Sequence, residues 1–94
     1  MNKTVLITGA SSGIGEACAR IFAENAWKLI ITGRRKDRLE SLKKELEAHG
    51  VEVLALCFDV RDKEAVEQEL GALSNGWENI DLLINNAGLA SGFG

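Results

Sequence analysis

The segment that most restricts the fold of this chain runs from Val5 to Gly15, VLITGASSGIG. An apolar run, Val5 to Ile7, meets three glycines within seven positions, Gly9, Gly13 and Gly15, and from Ile14 onward apolar residues recur at helical spacing. Strand, glycine turn and helix therefore follow one another directly, and a helix launched so close to its strand folds back to cover it. Ile14, Ala17, Cys18, Ile21 and Phe22 form the expected buried stripe of that helix, which ends near Asn25.

The alternation continues along the chain. Lys28 to Thr32 (KLIIT) is a second strand, and after GRRKDR a helix follows in which Leu39, Leu42 and Leu46 share a face. Gly50 supplies the left-handed residue that commonly ends a helix. Val51 to Phe58 is a third strand, apolar on both faces as a parallel strand covered above and below should be. Asp62 is placed to cap a third helix bearing Val66, Leu70 and Leu73, and Asp81 to Asn85 is a fourth strand before a glycine-rich tail.

This β-α-β-α-β-α-β order predicts an α/β fold, a Rossmann-type parallel sheet with right-handed crossovers and strand order 3-2-1-4. Strand 4, with Leu82 and Ile84 on one side and Leu83 on the other, would be a bare apolar edge, so residues 1–94 are expected to be one partial Rossmann domain, the N-terminal part of a larger doubly wound domain. Between strands 3 and 4 the chain reverses direction, opening a crevice beside strand 1 at the carboxyl ends of the strands. The glycine turn, Arg34 and Arg35, Asp59, and Asn85 to Gly88 all follow strands and gather at that edge.

At that edge Gly9, Gly13 and Gly15 let the chain approach a ligand closely, and the start of the first helix offers free N–H groups and partial positive charge to a pyrophosphate. Ser11 and Ser12 add hydroxyl donors, and Ile14 is expected to plug the helix against the sheet. The same glycines would also serve an ordinary tight turn. Gly9 to Gly13 further matches the G-x-S-x-G elbow of hydrolases, but that chemistry needs a histidine, and the single one, His49, falls at the opposite edge. About 20 positions past the glycines, where a carboxylate would favour unphosphorylated ribose, stand Arg34 and Arg35, which suit a 2′-phosphate or else begin a solvated helix. Asp59 is positioned to accept an adenine amino group beside the Val60 backbone, or to act as a loop cap.

Composition narrows the partners. Eleven basic against fourteen acidic residues give a net charge of −3, so nothing favours nucleic acid or an anionic membrane. The three-residue apolar run at the N-terminus is too short for a signal peptide or a membrane span, which points to the cytoplasm. Cys18 and Cys57, 39 positions apart, do not form a metal-binding spacing and are expected to be small buried hydrophobes; no metal is expected.

TGASSGIG at 8–15, GRR at 33–35, DV at 59–60 and NNAG at 85–88 stand in the order and at the intervals of the short-chain dehydrogenase/reductase family, which this chain resembles along essentially its whole length. GRRKDRLESL and WENIDLLINNAGLASG look most like the group of NADP-dependent 3-hydroxy acid dehydrogenases, also described as serine or allo-threonine dehydrogenases. The resemblance implies an NADP(H)-dependent oxidoreductase acting on an alcohol or carbonyl substrate. It implies that Gly9, Ala10, Ser11, Ser12, Gly13, Ile14 and Gly15 enclose the pyrophosphate and adenosine ribose, and that Arg34 and Arg35 hold the 2′-phosphate. Asp59 and Val60 would flank adenine; Asn86, Ala87 and Gly88 would reach the ribose nearer the nicotinamide. It also implies a homo-oligomer, a dimer or tetramer. The family's acid/base Tyr has no counterpart, since the 94 residues contain no Tyr. The catalytic Ser, Tyr and Lys are expected beyond residue 94, and these residues alone to be an inactive part or a stand-alone binding module.

Overall fold

The computed structural model describes residues 3–10 and 13–86. Along these residues run β1 (Thr4–Thr8), α1 (Gly13–Glu24), β2 (Lys28–Gly33), α2 (Lys36–Glu47), β3 (Val53–Cys57), α3 (Lys63–Gly71) and β4 (Leu82–Asn85). The strands form one sheet in the order β3-β2-β1-β4, every pairing parallel. No helix among the described residues is long and apolar enough to cross a membrane.

Register decides what each face carries. Val5 lies beside Leu29 and Leu82, and Leu29 beside Val53, so these residues share one face; Leu6, Ile30, Leu54 and Leu83 share the other. The first face is the core, where Val5, Ile7, Leu29 and Ile31 pack beneath Ala19 and Ala23 of α1 and Leu39, Leu42 and Leu46 of α2. Each such aliphatic side chain, fully buried, contributes about 1.5–3 kcal/mol. The α2 stripe is thus the one its leucine spacing predicts. Gly50 takes φ +85° just past that helix, the left-handed conformation that stops it. Between the two helices, the Arg20 guanidinium meets Glu45, with Nη2 to Oε1 at 3.2 Å, and Glu16 one turn away.

The α1 stripe is not the expected one. Gly15, Ala19 and Ala23 are the buried residues, with Cys18 and Phe22 partly buried beside them, whereas Ile14 and Ile21 are 67% and 57% exposed. Ile14 therefore does not plug the helix against the sheet. Small residues on the inner face let the α1 backbone come close to β1 and β2, which leaves the bulky isoleucines outside. Close approach outweighed side-chain volume.

The other face is covered at its centre, where Leu6, Ile30 and Thr32 are buried, and open toward its edges. The Asp62 side chain caps α3 by accepting from the backbone N–H groups of Glu64 and Ala65, as its position predicts, yet α3 buries none of its own residues. Between α3 and the sheet lies a cavity of about 290 Å³ whose walls include Leu6, Thr32, Val60, Val66, Leu70 and Leu83. β3 is shorter than its apolar run and only Val53 is buried, because β3 is an edge strand beneath an open face. For the same reason Cys57 at its end is exposed instead of buried; Cys18 is half-buried. β4 is the opposite edge of the described sheet, with Leu82 40% and Leu83 58% exposed.

Candidate functional site

Because all four strands are parallel, their carboxyl ends at Thr8, Gly33, Cys57 and Asn85 lie along one edge, and the segments that follow them meet there. The meeting is close in the middle. Gly9 adopts φ +66°, a left-handed conformation that glycine takes without steric cost. This turns the chain so that the Ala10 N–H donates to the carbonyl of Thr32 at 2.8 Å, tying the glycine turn to the end of β2. Ala10 is fully buried.

α1 then starts so near this turn that its first residues have no room for side chains on the inner side. A Cβ at Gly15 would stand 2.5 Å from the Gly9 carbonyl oxygen, 2.8 Å from the Ala10 Cα and 3.0 Å from Asn86 Nδ2. Asn86, 3% exposed, donates from the same Nδ2 to the Gly9 carbonyl at 3.0 Å. One step earlier, the Thr8 hydroxyl donates to Asn85 Oδ1 at 2.9 Å. The ends of β1 and β4 and the first turn of α1 are thus locked together. A Cβ at Gly13, by contrast, would meet nothing within 4 Å among the described residues.

Beside this junction the edge turns cationic. Arg34 and Arg35 are both exposed, and Arg35 is the residue before α2, its side chain making no cap bond to that helix. Phe58 donates its N–H to the carbonyl of Gly33 at 3.0 Å, which brings the segment after β3 against the segment after β2. Asp59 consequently faces Arg34, with Oδ2 3.9 Å from Nη1. Its tighter partner is Arg61, which the sequence reading did not single out. Arg61 donates its backbone N–H to Oδ1 at 2.9 Å, its Nη2 to Oδ2 at 3.0 Å, and its Nε to Oδ1 at 3.2 Å. These bonds hold the Asp59 carboxyl below the usual carboxylate range, the Arg61 side chain first and its backbone N–H second. The available signal was a cation two residues past an acid, the spacing of an Asx turn.

Among the expected site residues, the structure brings together Gly9, Ala10, Gly13, Ile14 and Gly15 at the helix start, Arg34, Arg35, Asp59 and the half-buried Val60 beside them, and Asn86 beneath. Ser11, Ser12, Ala87 and Gly88 lie outside the described residues. His49 sits beyond the end of α2 and is exposed, away from the strand ends that hold the glycine turn.

The fit to a dinucleotide rests on this geometry. Gly15 is pressed against the backbone of Gly9 and Ala10, a helix of 12 residues starts there, and the exposed Arg34 and Arg35 stand at the next strand end. In general a helix N-terminus suits an anion, and guanidinium groups suit phosphate.

Known proteins resemble this chain in sequence and in fold. Serine 3-dehydrogenase of Agrobacterium fabrum is 51% identical over 92 residues, covering 98% of this chain and 36% of that protein. NADP-dependent 3-hydroxy acid dehydrogenase YdfG of Salmonella typhi is 51% identical over 88 residues, covering 94% of this chain and 34% of that protein. An alcohol dehydrogenase from the archaeon Thermococcus sibiricus, solved in complex with 5-hydroxy-NADP, superposes with a TM-score of 0.82 at 38% identity, over 88% of this chain and 36% of that one. The chain therefore spans about a third of the length of the relatives it matches. The family model described as short chain dehydrogenase matches residues 3–93, and with the parallel sheet and the glycine junction in place, the chain belongs to the short-chain dehydrogenase family.

Proposed function

We propose that these residues are the cofactor-binding N-terminal part of an NADP(H)-dependent oxidoreductase whose substrate is a small alcohol or its carbonyl counterpart, a 3-hydroxy acid such as serine. When bound, the nicotinamide supplies or accepts the hydride. The residues described here bind and orient. Gly9 to Gly15 seat the pyrophosphate against the start of α1, Arg34 and Arg35 take the 2′-phosphate, and Asp59 with Val60 borders adenine. Asn86, buried and bonded to Gly9, holds the turn in the shape that accepts the phosphates. With no Tyr among the 94 residues, proton transfer to the substrate falls to residues outside them. The exposure of Leu82 and Leu83 on β4 agrees with a partial domain whose sheet edge is covered by further chain.

The observation that carries the reading is the pairing of a glycine junction too tight for a side chain at Gly15 with Arg34 at the neighbouring strand end. The names of the relatives, which include NADP-dependent and serine dehydrogenases, support the cofactor and the substrate class. The test is titration of NADPH and NADH against the full-length protein that carries this chain, followed by nicotinamide fluorescence. Tighter binding of NADPH, with the difference removed in Arg34→Ala, is expected. Equal affinity for the two would refute the 2′-phosphate assignment. A set of 3-hydroxy acids assayed for NADP reduction tests the substrate class.

A further inference from the structure

The Asp59 carboxylate poses a difficulty for the proposed phosphate site. It stands 3.9 Å from the Arg34 guanidinium, so it both competes for that cation and repels a phosphate arriving there. An anion this near a phosphate site would ordinarily weaken it. Arg61 is arranged to cancel the effect. Its side chain lies against both carboxylate oxygens, with Nη2 3.0 Å from Oδ2 and Nε within 3.3 Å of each, and its backbone N–H adds a fourth contact. Arg34, at 3.9 Å, makes the longer and weaker contact with the same carboxylate. The guanidinium of Arg34 therefore keeps its donor edges for another ligand.

We propose that Arg61 is a positioning residue for cofactor choice: by engaging Asp59, it leaves Arg34 free for the 2′-phosphate and so sets the preference for NADPH over NADH. The inference rests on the reading of Arg34 given above. The two cations and one anion leave the cluster with an excess positive charge, which suits a phosphate dianion. Without Arg61 the nearest cation to Asp59 is Arg34, the two neutralise each other, and the excess is gone. Arg61 and Arg34 are about two-thirds exposed, so solvent screens the effect and it is modest.

The ratio of NADH to NADPH dissociation constants isolates this role, because loss of any contact to adenine or pyrophosphate changes both constants alike. In the full-length protein, Arg61→Ala is expected to lower the ratio roughly two- to fivefold, a screened electrostatic effect. Adding Asp59→Asn to that variant removes the anion that Arg61 held and is expected to restore the ratio. Asp59→Asn alone is expected to keep the ratio or raise it, which tests the same point should Arg61→Ala fold poorly. Binding of 2′,5′-ADP, which lacks the nicotinamide, should follow the same order. An unchanged ratio in Arg61→Ala, or a ratio that falls and is not restored by Asp59→Asn, overturns the proposal, the second result meaning that Arg61 acts on the phosphate directly. Arg34→Ala separates the two levels. If it lowers the ratio while Arg61→Ala does not, only the positioning role fails; if it too has no effect, the assignment of Arg34 fails with it.

Discussion

Asn86 Nδ2 donates to the carbonyl oxygen of Gly9 at 3.0 Å, although 77 positions separate the two residues. The bond joins the end of β4 to the turn after β1, and the same nitrogen stands 3.0 Å from where a Cβ on Gly15 would be. Three segments thus converge on one carbonyl group, and the shape of the glycine turn depends on all of them.

Gly15→Ala tests the tightness of this convergence. The added Cβ would meet backbone at 2.5 and 2.8 Å, and backbone cannot swing aside as a side chain tip can. A loss of roughly 1–3 kcal/mol in stability is expected from overpacking, with NADPH affinity falling further as the turn shifts. Urea unfolding and cofactor titration of the same variant measure the two effects. Unchanged affinity would mean that the turn does not carry the phosphate.

Asn86→Ala removes the donor to Gly9 from a buried position. The expected cost is about 1–3 kcal/mol, that of a buried polar contact left unmade. Affinity for NADPH and NADH should fall by the same factor, since the turn serves what the two cofactors share. A selective loss of NADPH binding would contradict this role.

Arg34→Ala should reduce NADPH affinity by about tenfold or more, the value of a charge-assisted bond to phosphate, with NADH affinity nearly unchanged. Arg35→Ala, made in parallel, is expected to have the smaller effect, because Arg34 is the one aligned with the Asp59 and Arg61 cluster.

Asp62→Ala should loosen α3 selectively. Its carboxylate accepts from the N–H groups of Glu64 and Ala65, and the helix buries no residue that could compensate. A loss of about 1 kcal/mol is expected, with amide exchange quickening in residues 63–71 and not in α2. Uniform quickening across both helices would show that α3 is more firmly docked than its exposure implies.

The Arg20 side chain holds the Glu45 carboxyl below its ordinary range, chiefly through their hydrogen bond. A depressed carboxyl stabilises the fold above its unfolded-state pKa of about 4.3 and loses that contribution as pH falls through the lowered value. Wild type should therefore exceed Glu45→Gln in stability at pH 6, by a small margin for so exposed a pair, and the margin should shrink toward pH 3. A margin that grows on acidification would reverse the assignment.

Much of this protein was legible in the order of its residues. Alternating apolar runs and helical stripes determined the elements, the parallel sheet and the edge at which the glycines, Arg34, Asp59 and Asn86 gather, because periodicity and glycine placement are local properties that act over a few residues. The α2 leucines and the Asp62 cap were equally plain. Tertiary structure alone decided which face of α1 turns inward, with Gly15, Ala19 and Ala23 chosen over Ile14 and Ile21, since the distance between a helix and a sheet is set by both together. It also decided that Asn86 holds Gly9 and that Arg61, not Arg34, is the main partner of Asp59. Those contacts depend on where separate strand ends come to rest in space, and the spacing along the chain does not contain that distance.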